Sequence, residues 1–416
     1  MGNTNEAQYR FNRGRGASIA TMPHASDWTP GTVREAAGGL VALTVATFLA
    51  VTTEMLPVGL LPAIGDDMRV SDSVTGLLVT VYAFMVAVLA VPLTLSTSRF
   101  SRKGLLQATL VAYTVSNLVV AVAPSFGVLA AGRAFGGIAH ALFFSVSIGY
   151  ASRLVKSAFT GRALALVTAG AAAGFVLGVP LSTSLGTALG WRAAFGVLAA
   201  VCAVTVVIVA LLLPAVPGGG TGHTGEGAGA RRVRLGIVST TNAVVYLGQF
   251  TVYTFVSVIL LATGLPAAGV GPVLLGIGAV GLVGTWFAAA TLDRRPRATV
   301  LILLGAVTVG LVGVGIAFPA LAGVLVTAVL WGAGFGGVAS VFQTAAIRTR
   351  GATPEVIGAL VNATANIGIG GGAAVGAVVL AGPGLGWLPF AGAALVVVGL
   401  VVILIARRSF PSSPDA

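Results

Sequence analysis

The chain has 416 residues, 56% of them hydrophobic and only 8% charged, with a mean hydropathy of +1.01. Soluble domains carry about a quarter charged residues, so this balance excludes a water-soluble globule. The formal net charge is +12, and the single cysteine, Cys202, lies in an apolar run, which excludes a disulfide framework and a cysteine metal site.

Residues 1–37 are polar and basic, with Arg10, Arg13, Arg15 and Arg34, and read as a disordered tail. No apolar core with a cleavage site precedes the first long helix, so no removable signal peptide is expected. Apolar runs then alternate with short polar breaks, at about 38–62, 74–97, 104–123, 125–150, 162–187, 193–213, 235–261, 268–291, 298–317, 319–345, 354–381 and 387–406. Each is near or above the ~20 residues a helix needs to cross a bilayer. The expected count is twelve, with eleven or thirteen left open by the thin breaks at Pro124 and Pro319. Segment 214–234, PAVPGGGTGHTGEGAGARRVR, is the longest interior break. It reads as a flexible linker between two six-helix bundles, 38–213 and 235–406, with a solvated His223 and a second tail at 407–416.

An even number of crossings puts both termini on one side. That side collects all of the 23 lysines and arginines except Arg69, Arg133 and Arg192. Basic residues concentrate in cytoplasmic loops, so both termini are expected in the cytoplasm. Positive charge spread over many small clusters of this kind points to a lipid bilayer and not to nucleic acid.

The halves look duplicated. FGGIA at Phe135–Ala139 returns about 200 residues later as FGGVA at Phe335–Ala339, and Gly170, Gly174 and Gly178 return as Gly368, Gly372 and Gly376. Internal repeats are characteristic of secondary transporters. Glycines four apart form one helix stripe that admits a close neighbour, and Pro180 predicts a bend. The stripe is expected to act also as a flexible seal between the halves.

Glu54 stands in the otherwise apolar or small run VALTVATFLAVTTEMLPVGLLPAI. A charge there costs roughly 2.5–3.5 kcal/mol on insertion scales, so an intramembrane carboxylate is a functional-site expectation. With the first span ending near Pro62, Glu54 lies about 12 Å below the outer boundary. Arg133 in the fourth span lies at similar depth, so the two side chains are expected to pair. A fixed structural pair, or an Arg133 capped by backbone carbonyls, are the alternatives. His140, two turns from Arg133 on nearly the same face, is either a proton relay or a hydrogen-bonded packing residue. In the second half Asn242, Tyr246, Gln249, Tyr253, Gln343, Asn362 and Asn366 either line a wet cavity or join helices. There is no GxSxG, no HExxH and no phosphate-binding glycine loop. No enzyme, no cofactor, no metal and no direct ATP drive are expected.

TTEMLPVGLLPAIGDDM, RAFGGIAHALFFS and GAAAGFVLGVPLSTSLGTALGWRAAF resemble the major facilitator superfamily, specifically its twelve-helix drug:proton antiporters near the chloramphenicol-resistance and arabinose-efflux-type permeases. The resemblance covers about residues 38–406. It implies an all-α fold of twelve transmembrane helices in two pseudo-symmetric six-helix bundles, and a central cavity lined by spans 1, 4, 7 and 10. Proton traffic through Glu54 and Arg133 is implied too, and Gly170, Gly174, Gly178 and Pro180 match an antiporter pattern. Two departures stand out. Gly136 occupies a position where the family usually has glutamine. In TLSTSRFSRKG, Thr94, Ser98 and Ser101 replace the glycine, aspartate and second glycine of the gating loop, while Arg99, Arg102 and Lys103 keep its basic part. The latch between halves is then either lost or moved to Asp293, beside Arg294, in the second half.

Together these features predict a proton-coupled exporter of a small drug-like or natural-product molecule, with substrate held among Glu54, His140, Gln249, Tyr253 and Gln343. A monomer in a bacterial inner membrane is expected. Export of sugars or nucleosides, uptake by symport, and a non-transporting receptor or scaffold are the alternatives.

Overall fold

The computed structural model describes residues 31–97, 99–214, 228–352 and 354–411. The expectations for the tail up to residue 30, for Ser98, for the linker around His223 and for residues 412–416 lie outside the described residues. Among the described residues, twelve helices are long and apolar enough to cross a membrane: α1 Ala37–Met68, α2 Asp72–Ser96, α3 Arg102–Ala121, α4 Phe126–Leu154, α5 Thr160–Leu189, α6 Trp191–Leu212, α7 Gly229–Ala262, α8 Ala267–Thr291, α9 Pro296–Ala317, α10 Leu321–Arg348, α11 Val356–Ala381 and α12 Leu385–Ile405. The thin break at Pro124 is a real boundary, because Ser125 caps α4 by accepting from the Val128 amide, as Ser71 and Ser101 cap α2 and α3. Helix α7 already runs inside the segment expected as linker.

Helix α1 is longer than expected. It continues through Pro57 and Pro62 to Met68, where Arg69 takes a left-handed conformation and closes the helix. Glu54 therefore lies about 21 Å from that end, not 12 Å.

The fold is two similar bundles, and each repeat does the same job in both. The FGGIA glycines seat α4 on α2: a Cβ on Gly137 would lie 2.4 Å from the Tyr82 carbonyl oxygen. Those of FGGVA seat α10 on α8, with a Cβ on Gly336 falling 1.8 Å from the Gly281 carbonyl oxygen. Likewise the Gly170, Gly174, Gly178 stripe lies on α1 and the Gly368, Gly372, Gly376 stripe on α7. The α5 stripe is therefore packing within the first half and not the expected seal between halves. The interface between halves is built instead by α2 against α11 and α5 against α8. A π-helical turn at Gly174–Gly178 lets α5 serve both neighbours: its glycines meet α1, while Val176, Pro180 and Ser184 meet Gly278 and Gly271 of α8.

Large apolar side chains are exposed in helical stripes on the outer helices, among them Val204, Val207 and Leu211 of α6 and Val397, Val401 and Leu404 of α12. Such surface is stable only against lipid, and it belongs to a multi-pass membrane protein.

Candidate functional site

The prolines of α1 organise the site. A proline has no N–H, so it leaves the carbonyl four residues earlier without its helical donor. Pro57 thereby frees the Thr53 carbonyl, and Pro62 frees the Val58 carbonyl. Each is taken by another helix. Arg133 donates from one guanidinium nitrogen to Thr53 O at 2.6 Å and from the other to Glu54 O at 2.7 Å. Ser257 of α7 donates to Val58 O at 2.7 Å across the halves. Buried backbone groups must find partners where no water reaches, and here side chains supply them.

This corrects the expected pairing of side chains. Arg133 is fully buried and hydrogen-bonds peptide carbonyls rather than the Glu54 carboxylate; it also lies 4.1 Å above the Tyr82 ring. A guanidinium presents a planar fork that two adjacent carbonyls match, and the aromatic face adds about 2 kcal/mol when desolvated.

The Glu54 carboxylate, 5% exposed, faces His140 instead, with Oε2 3.7 Å from Nε2. Its Oε1 is buried without a hydrogen-bond partner among the described residues. The other ring nitrogen of His140, Nδ1, hydrogen-bonds the Tyr82 hydroxyl at 3.0 Å. Tyr113 and Phe144 pack on the imidazole at 6.2 and 5.0 Å between ring centres. Asn117 ties this layer to α1 by donating to the Thr53 hydroxyl at 3.1 Å. The result is a chain of polar groups, Glu54–His140–Tyr82, enclosed by aromatic rings and flanked by a fixed cation. A carboxylate and an imidazole in contact can hold, release and exchange a proton.

Sequence reasoning missed Tyr82, Tyr113 and Asn117, each a polar group at the core-facing position of an apolar helix. It also left Gly136 unexplained. A Cβ there would meet Ser116 Oγ at 2.5 Å and the Tyr82 ring at 3.0 Å, so Tyr82 fills the space that a longer side chain would need.

The polar residues of the second half divide by role. Asn242 donates to Val361 O and to the Thr364 hydroxyl, joining α7 to α11. Gln249 accepts from the Trp331 indole at 2.6 Å, joining α7 to α10, so it is a brace rather than the expected cavity group. Tyr246 stacks on Phe250 and meets Phe335 edge-on. Tyr253 packs edge-on against Trp331. Gln343 is partly exposed on α10, and Asn366 donates to the carbonyl of the partly exposed Asn362 one turn earlier.

The expected gating residues are also local. Lys103 donates to Ala210 O at the end of α6, and Arg99 lies over Phe100. Arg102 opens α3. Asp293 binds Arg348 at 2.9 Å inside the second half, which corrects the expectation of a latch between halves there; Arg294 is exposed beside it. Two side-chain hydrogen bonds cross on the side away from the chain termini, where Ser257 meets Val58 and Thr80 donates to Gly370 O at 3.0 Å; nearer the termini α4 approaches α11 at Ile148 and Gly358. Near the same end Asp67 pairs with Arg192 and accepts from the Trp191 indole, fixing the GWR turn to α1.

Duplicated six-helix bundles that enclose a buried acid and histidine define a polytopic membrane transporter. Residues 43–359 match the family model described as Major Facilitator Superfamily, and the chain belongs to that superfamily. It is 34% identical over 367 residues to a chloramphenicol efflux pump of Mycobacterium tuberculosis, covering 84% of this chain and 86% of the pump. It is 27% identical over 374 residues to a probable sugar efflux transporter of Pasteurella multocida, covering 89% and 92%. Among solved structures, a bacterial homolog to the human lysosomal transporter Spinster, inward-facing and unoccupied, matches with a TM-score of 0.69 at 15% identity over 91% of this chain and 98% of that one. Its occupied form matches with a TM-score of 0.70. These structures establish the fold. The family and its relatives are transporters, not enzymes.

Proposed function

We propose that this transporter exports a small drug-like or natural-product molecule in exchange for protons by alternating access, from a bacterial inner membrane in which both termini are cytoplasmic. A single chain holds every group the scheme uses, so the working unit is a monomer. The observation that carries the reading is the Glu54 carboxylate, buried with one oxygen unpartnered and the other 3.7 Å from His140. In this scheme Glu54 takes a proton when the site opens outward and loses it when the site opens to the cytoplasm. The Arg133 guanidinium stays on its carbonyls throughout, and His140, oriented by Tyr82, is the partner that Glu54 makes and breaks. Substrate occupies the space between this layer and the aromatic surface of Tyr246, Phe335 and Tyr253. The contacts of Ser257 and Thr80 close the outward path in the state described. The mycobacterial relative supports a drug-like substrate and a role in antibiotic resistance; the Pasteurella relative supports sugar export as the second reading.

Inverted membrane vesicles with an acidic lumen test the proposal. A panel of antibiotics, sugars and nucleosides is added, and proton release is recorded for wild type and Glu54→Gln. Release triggered by one compound class and lost in the variant is the expected result. Intact proton-coupled transport in Glu54→Gln would overturn the scheme.

A further inference from the structure

A second site lies away from Glu54, at the end of the bundle that carries the chain termini. Here the start of α7, the α8–α9 turn, the end of α10 and the segment after α12 enclose a cavity of about 70 Å³. Four arginines line it: Arg234, Arg297, Arg348 and Arg408. The hydroxyl-bearing residues Thr344, Thr349 and Ser409 line it too, and no carboxylate is among its described lining residues. The arginines fall into two pairs. Arg297 is anchored by donating to Leu404 O at 2.6 Å, and Arg348 is anchored on Asp293 and on Leu292 O. Arg234 and Arg408 have no ion-pair partner among the described residues.

Four guanidinium groups around one small space repel one another, and among the described residues only Arg348 has a counter-charge. An oxyanion in the cavity removes that repulsion and accepts several charge-assisted hydrogen bonds at once. Guanidinium forks suit phosphate oxygens in particular. Val300, Val341 and Phe410 add apolar lining, which suits a group whose charged head meets the arginines while its apolar part follows the helices. Basic pockets between helices at this depth recognise lipid headgroups.

We infer that this cavity is a phosphate-binding site in the second half, separate from the transport site, and that it takes the phosphate of an anionic lipid headgroup or a free phosphate ion. Its place between α7, α9 and α10 means that an occupant braces the end of the second bundle.

The full chain is reconstituted in nanodiscs and its melting midpoint is followed in two titrations. Phosphatidylglycerol is titrated into phosphatidylcholine discs, and inorganic phosphate is added around discs of phosphatidylcholine alone. A rise in the first alone assigns a lipid headgroup; a rise in the second assigns a soluble phosphate. In either case Arg234→Gln/Arg408→Gln weakens the apparent affinity by about 10- to 30-fold, since each direct hydrogen bond lost to the anion is worth about a fivefold factor. Arg232→Gln/Arg407→Gln, basic residues of the same end outside the cavity, serves as control and shifts it by less than about 3-fold. No rise in either titration overturns the inference. So does an equal loss in both variant pairs, which would mean general surface charge.

Discussion

Removing the Ser257 hydroxyl tests whether the prolines of α1 create attachment points. In Ser257→Ala the Val58 carbonyl, freed by Pro62 and fully buried, loses its donor at 2.7 Å. An unsatisfied buried carbonyl costs about 1–3 kcal/mol. Pro62→Ala restores an N–H four residues beyond Val58, so the helix can satisfy the same carbonyl itself. The loss on Ser257→Ala should then shrink, giving a coupling of about 1–2 kcal/mol in a double-mutant cycle. For a bundle of this size that is a shift of about 2–8 °C in melting midpoint. The assay is thermal melting of the four proteins in nanodiscs, with labelling of a cysteine introduced on the outward path as a second readout. Ser257→Ala should raise that labelling, because a contact holding the outward path shut is gone, and Pro62→Ala should not restore the closure even as it restores stability. Equal destabilisation by Ser257→Ala in both backgrounds would refute the account of the freed carbonyl.

Two further outcomes follow from the same geometry. Trp331→Phe leaves the buried Gln249 carbonyl without its donor and should cost about 1–3 kcal/mol, seen as a lower melting midpoint, while Glu54-dependent proton release persists. Gly178→Ala places a Cβ 2.0 Å from Thr52 Oγ1 and should destabilise by about 1–3 kcal/mol, with partial rescue by Thr52→Ala; a purely additive double mutant would contradict the packing assigned to the α5 stripe.

Hydropathy made the number and order of the helices readable before any coordinates, and the two glycine motifs correctly announced duplicated halves. Helix ends were less readable. Pro62 looked like a terminus, yet a proline within a membrane helix needs only a substitute donor for one carbonyl, and that donor sits 199 positions away on Ser257. Periodicity likewise put His140 on the helix face of Arg133, two turns from the depth that Arg133 shares with Glu54, without saying which atoms meet. It does not register that a backbone carbonyl, invisible in the side-chain pattern, competes with a carboxylate for a guanidinium. Tyr82 escaped notice because a tyrosine in an apolar run reads as ordinary packing; its two roles, under Arg133 and against His140, exist only once α2 and α4 are adjacent.

Helix α1 is gripped largely by its main chain: α4 holds the carbonyls of Thr53 and Glu54, α7 holds that of Val58, and Gly170 of α5 rests against that of Thr44. Main-chain carbonyls are the same whatever residue bears them. The side chains of α1 are buried in both halves as well, so a change there must keep its volume. Provided the two prolines remain, such a change can alter what faces the Glu54 layer while the main-chain mounting stays in place.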